Sequence, residues 1–100
     1  MVFMFAVDVV LPEFTFCPDD IIVDEAGVSG VPVTWRPPSA IDNSGTVVVA
    51  QISGNPNGTL LFGGEVHTIR YSANDSAGNF AFCSFTVTVT PGKHLDKSSY

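Results

Sequence analysis

The chain has 100 residues, 45% of them hydrophobic and 14% charged, with a formal net charge of −6. That is enough apolar material for one domain core without help from a metal. Four Lys and Arg in all exclude the clustered positive charge that nucleic-acid binding requires.

Met1 to Val7, MVFMFAV, is continuously apolar but far shorter than the roughly 20 residues that cross a bilayer. It also lacks the positive start of a signal peptide, so neither a targeting signal nor membrane insertion is expected from it. Residues 1–10 are read as an apolar extension: a signal remnant, a cloning residue or a hydrophobic strand that pairs with a neighbour. Residues 11–91 form the domain.

Asp8 to Phe16 is an extended lead-in, held to an edge or linker position by Pro12, which has no N–H to donate. Cys17-Pro18-Asp19-Asp20 makes a turn, Ile21 to Val23 a short strand, and Asp24 to Gly27 a second turn. In Val31 to Trp35 the alternation puts Val31, Val33 and Trp35 on one face, so Trp35 is a core candidate. Pro37 and Pro38 end that strand and open a loop to Gly45, whose turn is shaped by Asp42, Asn43 and Gly45. Calcium would need six to eight oxygens around one point, and no D-x-D-x-D-G pattern supplies them. Turn hydrogen bonds are the favoured reading of Asp42 and Asn43, with no metal and no cofactor expected.

Thr46 to Ile52 is apolar on both faces for part of its length and is expected to be central in its sheet. Ser53 to Gly58 is a loop, and Thr59 to Phe62 a short strand closed by Gly63-Gly64. Two longer strands follow, Val66 to Ala73 and Phe80 to Val89, around a turn shaped by Asp75, Gly78 and Asn79. On the first, Ile69 and Tyr71 mark the inward face. On the second, Cys83, Phe85, Val87 and Val89 share a face opposite Thr86, Thr88 and Thr90, which makes Ile69, Tyr71 and Phe85 core candidates. Phe80 and Phe82 fall on the threonine side. They form a candidate interaction face, unless a segment such as MVFMFAV covers them. Residues 92–100 are polar and read as a linker or tail.

About seven short antiparallel strands and no helix predict an all-β, immunoglobulin-like sandwich in two sheets. Cys17 and Cys83 are an even pair with no Cys or His cluster beside them, which favours a disulfide over two buried thiols and hence an oxidising compartment. Two N-x-S/T triplets, at Asn57 and Asn74, are candidate N-glycosylation sites. The order Cys17, Trp35, Cys83 is antibody-like, but no tyrosine stands two residues before the second cysteine, so the tyrosine corner is absent. Catalysis is not expected: His67 and His94 are the only histidines, and the acidic residues Asp19, Asp20, Asp24 and Glu25 read as a solvated loop, so no catalytic residue is assigned.

CPDDIIV at Cys17 to Val23, VPVTWRPPSAIDNSG at Val31 to Gly45, and NPNGTLLFGGEVHTIRYSANDSAGNFAFCSFTVTV at Asn55 to Val89 together resemble the hyalin repeat, or HYR, domain. The most specific pieces are W-x-P-P-x-A-x-D-N-S-G and Y-x-A-x-D-x-x-G-N-x-A-x-C-x-F-x-V-x-V. The resemblance implies an immunoglobulin-like sandwich from extracellular proteins, often in tandem copies, associated with adhesion and matrix assembly and carrying no catalytic residues. Two roles follow as expectations. One is an adhesion or protein-interaction module that meets extracellular or matrix proteins, its own copies or a glycan. The other is a structural building block of a fibre or matrix that assembles through its N-terminal strand.

Overall fold

The computed structural model describes residues 10–24 and 30–91. Eight strands are formed: β1 (Glu13–Phe16), β2 (Ile21–Asp24), β3 (Val31–Pro32), β4 (Ser39–Ile41), β5 (Val47–Ser53), β6 (Leu60–Leu61), β7 (Glu65–Asp75) and β8 (Phe80–Thr90). One sheet has the order β2-β8-β7-β5. Facing it are two antiparallel pairs, β1 with β4 and β3 with β6. The expected Met1 to Val7 strand, the turn beyond Asp24 and the tail after Pro91 lie outside the described residues.

The hairpin β7–β8 dominates because its two eleven-residue arms pair along their length; β8 alternates throughout, while β7 departs from alternation at its start and at Ser72, which is buried like its neighbours. Its register pairs Ile69 with Phe85, Tyr71 with Cys83 and His67 with Val87. All the large side chains of one face therefore stack inward. Ile69, Val87 and Val89 are fully buried, and Val33, Trp35, Leu61, Tyr71, Cys83 and Phe85 complete the core. At its centre the Trp35 indole N–H donates to the Tyr71 hydroxyl at 2.9 Å. The Phe85 ring meets Trp35 edge-on at 5.3 Å and lies nearly parallel to Tyr71 at 6.4 Å. Burial of a Trp N–H is tolerated only with such a partner.

The opposite layer is built differently. Only Val31 and Pro32 pair as strand β3, yet Val33, Thr34 and Trp35 remain extended with Val33 and Trp35 inward, as the alternation predicts. Val33 N–H donates to Thr59 O and Val33 O accepts from Gly58 N–H. The ladder is then finished by a side chain: Asn57 Oδ1 accepts from Trp35 N–H at 3.0 Å, and Asn57 Nδ2 donates to Trp35 O at 2.8 Å. Beyond the prolines the same stretch of chain resumes as β4, against β1. The sequence alone reads Arg36 to Gly45 as loop, because three residues after two prolines carry too little alternation to announce a strand.

Two further expectations are corrected. Strand β5 is at an edge of the four-stranded sheet, not at its centre. Its run of valines faces both ways, but only one face meets the core: Val49 packs against it, whereas Val48 and Ile52 are at least half exposed. The strands are also not all antiparallel, since β2 runs parallel to β8, Ile21 beside Val87 and Asp24 beside Thr90. The long connection between them permits this. The lead-in pairs with the second layer as β1 and then crosses to the first as β2, and the crossing is tied by the Cys17–Cys83 disulfide, with Cα atoms 5.9 Å apart.

Two stability tests follow. Tyr71→Phe removes the partner of the buried indole N–H and should cost about 1–3 kcal/mol, read by denaturant unfolding with the emission of Trp35, the single tryptophan. Reducing the disulfide, which spans 66 residues of sequence, should cost roughly 4 kcal/mol on the chain-entropy estimate; an unchanged midpoint in reductant would contradict the bridge's stabilising role.

Candidate interaction face

The outward face of the four-stranded sheet divides into two halves. Towards Pro91 it is mixed: Thr86, Thr88 and Thr90 are half-buried along β8, with Asp20 Oδ1 accepting from Thr86 N–H at 2.8 Å and Asp24 Oδ1 from the Thr90 hydroxyl at 2.8 Å, while Ile22 and Val66 flank Thr88 and are exposed. These two carboxylates, read from sequence as a solvated acidic loop with Asp19 and Glu25, fasten β2 to β8; Glu25 lies outside the described residues.

Towards the β7–β8 turn the face is marked by two aromatic rings. Register places Val48, Asn74 and Phe80 in one row and Ala50, Ser72 and Phe82 in the next. Phe80 is 50% exposed and Phe82 47%, because the parity that buries Cys83 and Phe85 must put residues 80 and 82 outside. Their rings contact edge-on at 5.3 Å. The Arg70 guanidinium lies over the Phe82 ring, 4.0 Å from its centroid, a cation–π contact that uses one side of that ring. Val48 and Ile52 on β5 extend the apolar area. Sequence alone identified Phe80 and Phe82 for this face; Val48, Ile52 and Arg70 joined it only once the register was known.

Loops at the turn end of the sheet are closed by their own side chains. Asp75, 8% exposed, accepts through Oδ1 from Ala77 N–H at 2.9 Å and Asn79 N–H at 2.8 Å, and through Oδ2 from the Asn79 side chain at 3.0 Å. Gly78 supplies the positive φ of 91° that an L side chain would resist. In the neighbouring loop Asp42 Oδ2 accepts from Ser44 N–H at 3.0 Å and Gly45 N–H returns to Asp42 O at 2.9 Å, with Gly45 at φ 83°. Asn43 is exposed beside it and lines, with Val10, Leu11, Glu13, Ile41 and Asp42, a shallow cleft of about 260 Å³. His67 points inward, its Nε2 3.6 Å from Glu65 Oε1. Among the described residues no three His, Cys, Asp or Glu side chains converge as a metal site would require.

The candidate acceptors Asn57 and Asn74 differ. Asn57 spends both ends of its amide on Trp35, whereas Asn74 is exposed, its Oδ1 accepting from the Ser72 hydroxyl at 3.0 Å.

Comparison with known families decides the kind of domain: the HYR domain model matches residues 7–89. The chain belongs to the HYR domain family. This HYR domain is 39% identical over 85 residues to hyalin of Strongylocentrotus purpuratus, covering 83% of the chain and 7% of that protein. Against hyalin of Lytechinus variegatus it is 40% identical over 72 residues, covering 72% of the chain and 13% of that protein. A rat protein, sushi, von Willebrand factor type A, EGF and pentraxin domain-containing protein 1, is 40% identical over 84 residues, with 82% and 2% covered. The chain thus spans a small fraction of the curated relatives it matches. No described helix is long and apolar enough to cross a membrane.

Asn57→Ala should therefore lower unfolding free energy by about 1–3 kcal/mol, the worth of two backbone bonds at a buried tryptophan, while Asn74→Ala should stay within about 0.5 kcal/mol. Equal midpoints for the two variants would show that the Asn57 clamp contributes nothing.

Proposed function

We propose that this chain is a non-enzymatic, extracellular adhesion or protein-interaction module, one unit of a larger multidomain or matrix protein, and that its apolar sheet face meets a second copy. The observation that carries this reading is the paired exposure of Phe80 and Phe82 on the β7–β8 hairpin, continued by Val48 and Ile52. Exposed aromatic clusters on an ordered scaffold supply most of the energy of protein contacts. Charge favours a copy as the partner. The chain carries −6 overall, yet residues 43–64, which include β5, hold no charged residue or histidine, and among the described residues Arg70 is the one ionisable group on this half of the face. Two copies repel least where they would touch.

The family, its much longer relatives and the disulfide support an extracellular setting. A structural building block assembling through an N-terminal strand is the second reading. One observation favours it: β5 is a sheet edge without Pro or charge, the kind of edge that accepts an added strand.

Beads coated with disulfide-bonded protein from a host that does not glycosylate should aggregate. Phe80→Ser with Phe82→Ser should reduce aggregation several-fold at unchanged thermal midpoint; aggregation equal to wild type would remove these rings from the contact. Deleting residues 1–10 should leave aggregation intact, and its loss would favour strand addition instead.

A further inference from the structure

We infer that Asn74 is the N-glycan acceptor of this domain, that Asn57 is not, and that the first sugar at Asn74 lies on the Phe80 ring. Both asparagines begin an N-x-S/T triplet, Asn57-Gly58-Thr59 and Asn74-Asp75-Ser76, so the triplet does not separate them. The geometry of their amides does.

The Asn57 amide pairs with Trp35 through Oδ1 and Nδ2 together. A two-point pairing with the N–H and C=O of one residue uses the amide hydrogen on the same side as Oδ1. A glycan replaces that hydrogen, because a substituted amide takes the trans arrangement, which puts the sugar carbon on the oxygen's side. Glycosylated Asn57 could not close the clamp, and the extended stretch through Trp35 would lose its last two ladder bonds. The domain folded as described therefore has an unsubstituted Asn57.

Asn74 has none of these commitments. Its side chain projects from the outward face, its Oδ1 is steadied by the Ser72 hydroxyl, and Ser76 in the turn is exposed. In register it stands between Phe80 on β8 and Val48 on β5, 50% and 64% exposed. Facing side chains on neighbouring strands lie roughly 5 Å apart at Cβ, so a sugar on Nδ2 emerges beside the Phe80 ring. The C–H groups on one face of an N-acetylglucosamine carry partial positive charge and complement the negative face of an aromatic ring. Stacking there removes apolar area from water that the fold leaves exposed.

The glycan and a second copy would compete for Phe80, so glycosylation would set the availability of the contact face. That last step rests on the proposed contact; the choice of acceptor does not.

The domain secreted from glycosylating cells should show one N-glycan by intact mass. Ser76→Ala, which destroys the second triplet while keeping Asn74, should remove it, and Thr59→Ala should retain it. The first sugar's proton resonances should be shifted upfield by the ring and return to ordinary positions in Phe80→Ala. A glycan that persists in Ser76→Ala, or secreted protein without any glycan, overturns the acceptor assignment; unshifted sugar protons overturn the seat on Phe80. Beads bearing the glycosylated form should aggregate less than beads bearing secreted Ser76→Ala, and equal aggregation would overturn the competition. Failure of the unglycosylated bacterial protein to aggregate would count against the contact face alone and leave the mass result standing.

Discussion

The carboxylate of Asp75 accepts hydrogen bonds from the backbone N–H of Ala77, the backbone N–H of Asn79 and the Asn79 side chain, and through them it fixes which residue of β8 faces which residue of β7. Side chains alternate with a period of two, so a slip of one residue would turn Phe85, Val87 and Val89 to solvent and bring the threonines inward. The core, the disulfide and the outward aromatic pair all inherit their placement from this pairing. Asp75 is itself nearly buried, which is acceptable for a carboxylate whose lone pairs meet donors held in place by the turn.

The second layer answers a different constraint. A chain with Pro37 and Pro38 in the middle cannot run as one uninterrupted strand, because neither residue donates to a ladder. The fold divides that stretch, pairing its first part with β6 and its last part with β1, and it bridges the gap with Asn57, whose side-chain amide imitates a neighbouring peptide unit. Trp35 can then stay inward against Phe85 and reach the Tyr71 hydroxyl. The indole thus ties the irregular layer to the regular one, and the regular one supplies its hydrogen-bond partner.

How much of this was readable from residues alone follows from where alternation is long. The inward and outward faces of β8, and hence the outward position of Phe80 and Phe82, are written in its long alternation, and β7 repeats the pattern over its central residues. The family motifs lie in the same stretch. By contrast VVVAQIS offers valines to both faces, and nothing in a single strand says whether a neighbour flanks it, so the residues alone point to the sheet centre where the fold has an edge. Strand β4 is not legible because three residues carry no period. The Asn57 clamp was also invisible, since it joins residues 22 apart in sequence; the one local hint was a polar amide between Pro56 and Gly58 beside a strand too short to finish its own ladder.

The exposed aromatics are a consequence of register that the sequence did not have to accept, since any polar residue at 80 or 82 would satisfy the same pairing. Phe82 is partly offset by Arg70, whose guanidinium covers one side of its ring; a salt-screened, exposed contact of that type contributes on the order of 0.5–1 kcal/mol. Among the described residues Phe80 meets the edge of Phe82. Both rings stand outside the core cluster on the outward face, and the proposed contact would bury the area they leave exposed. For Phe80, that contact need not come from another protein, because the row that holds it also holds Asn74.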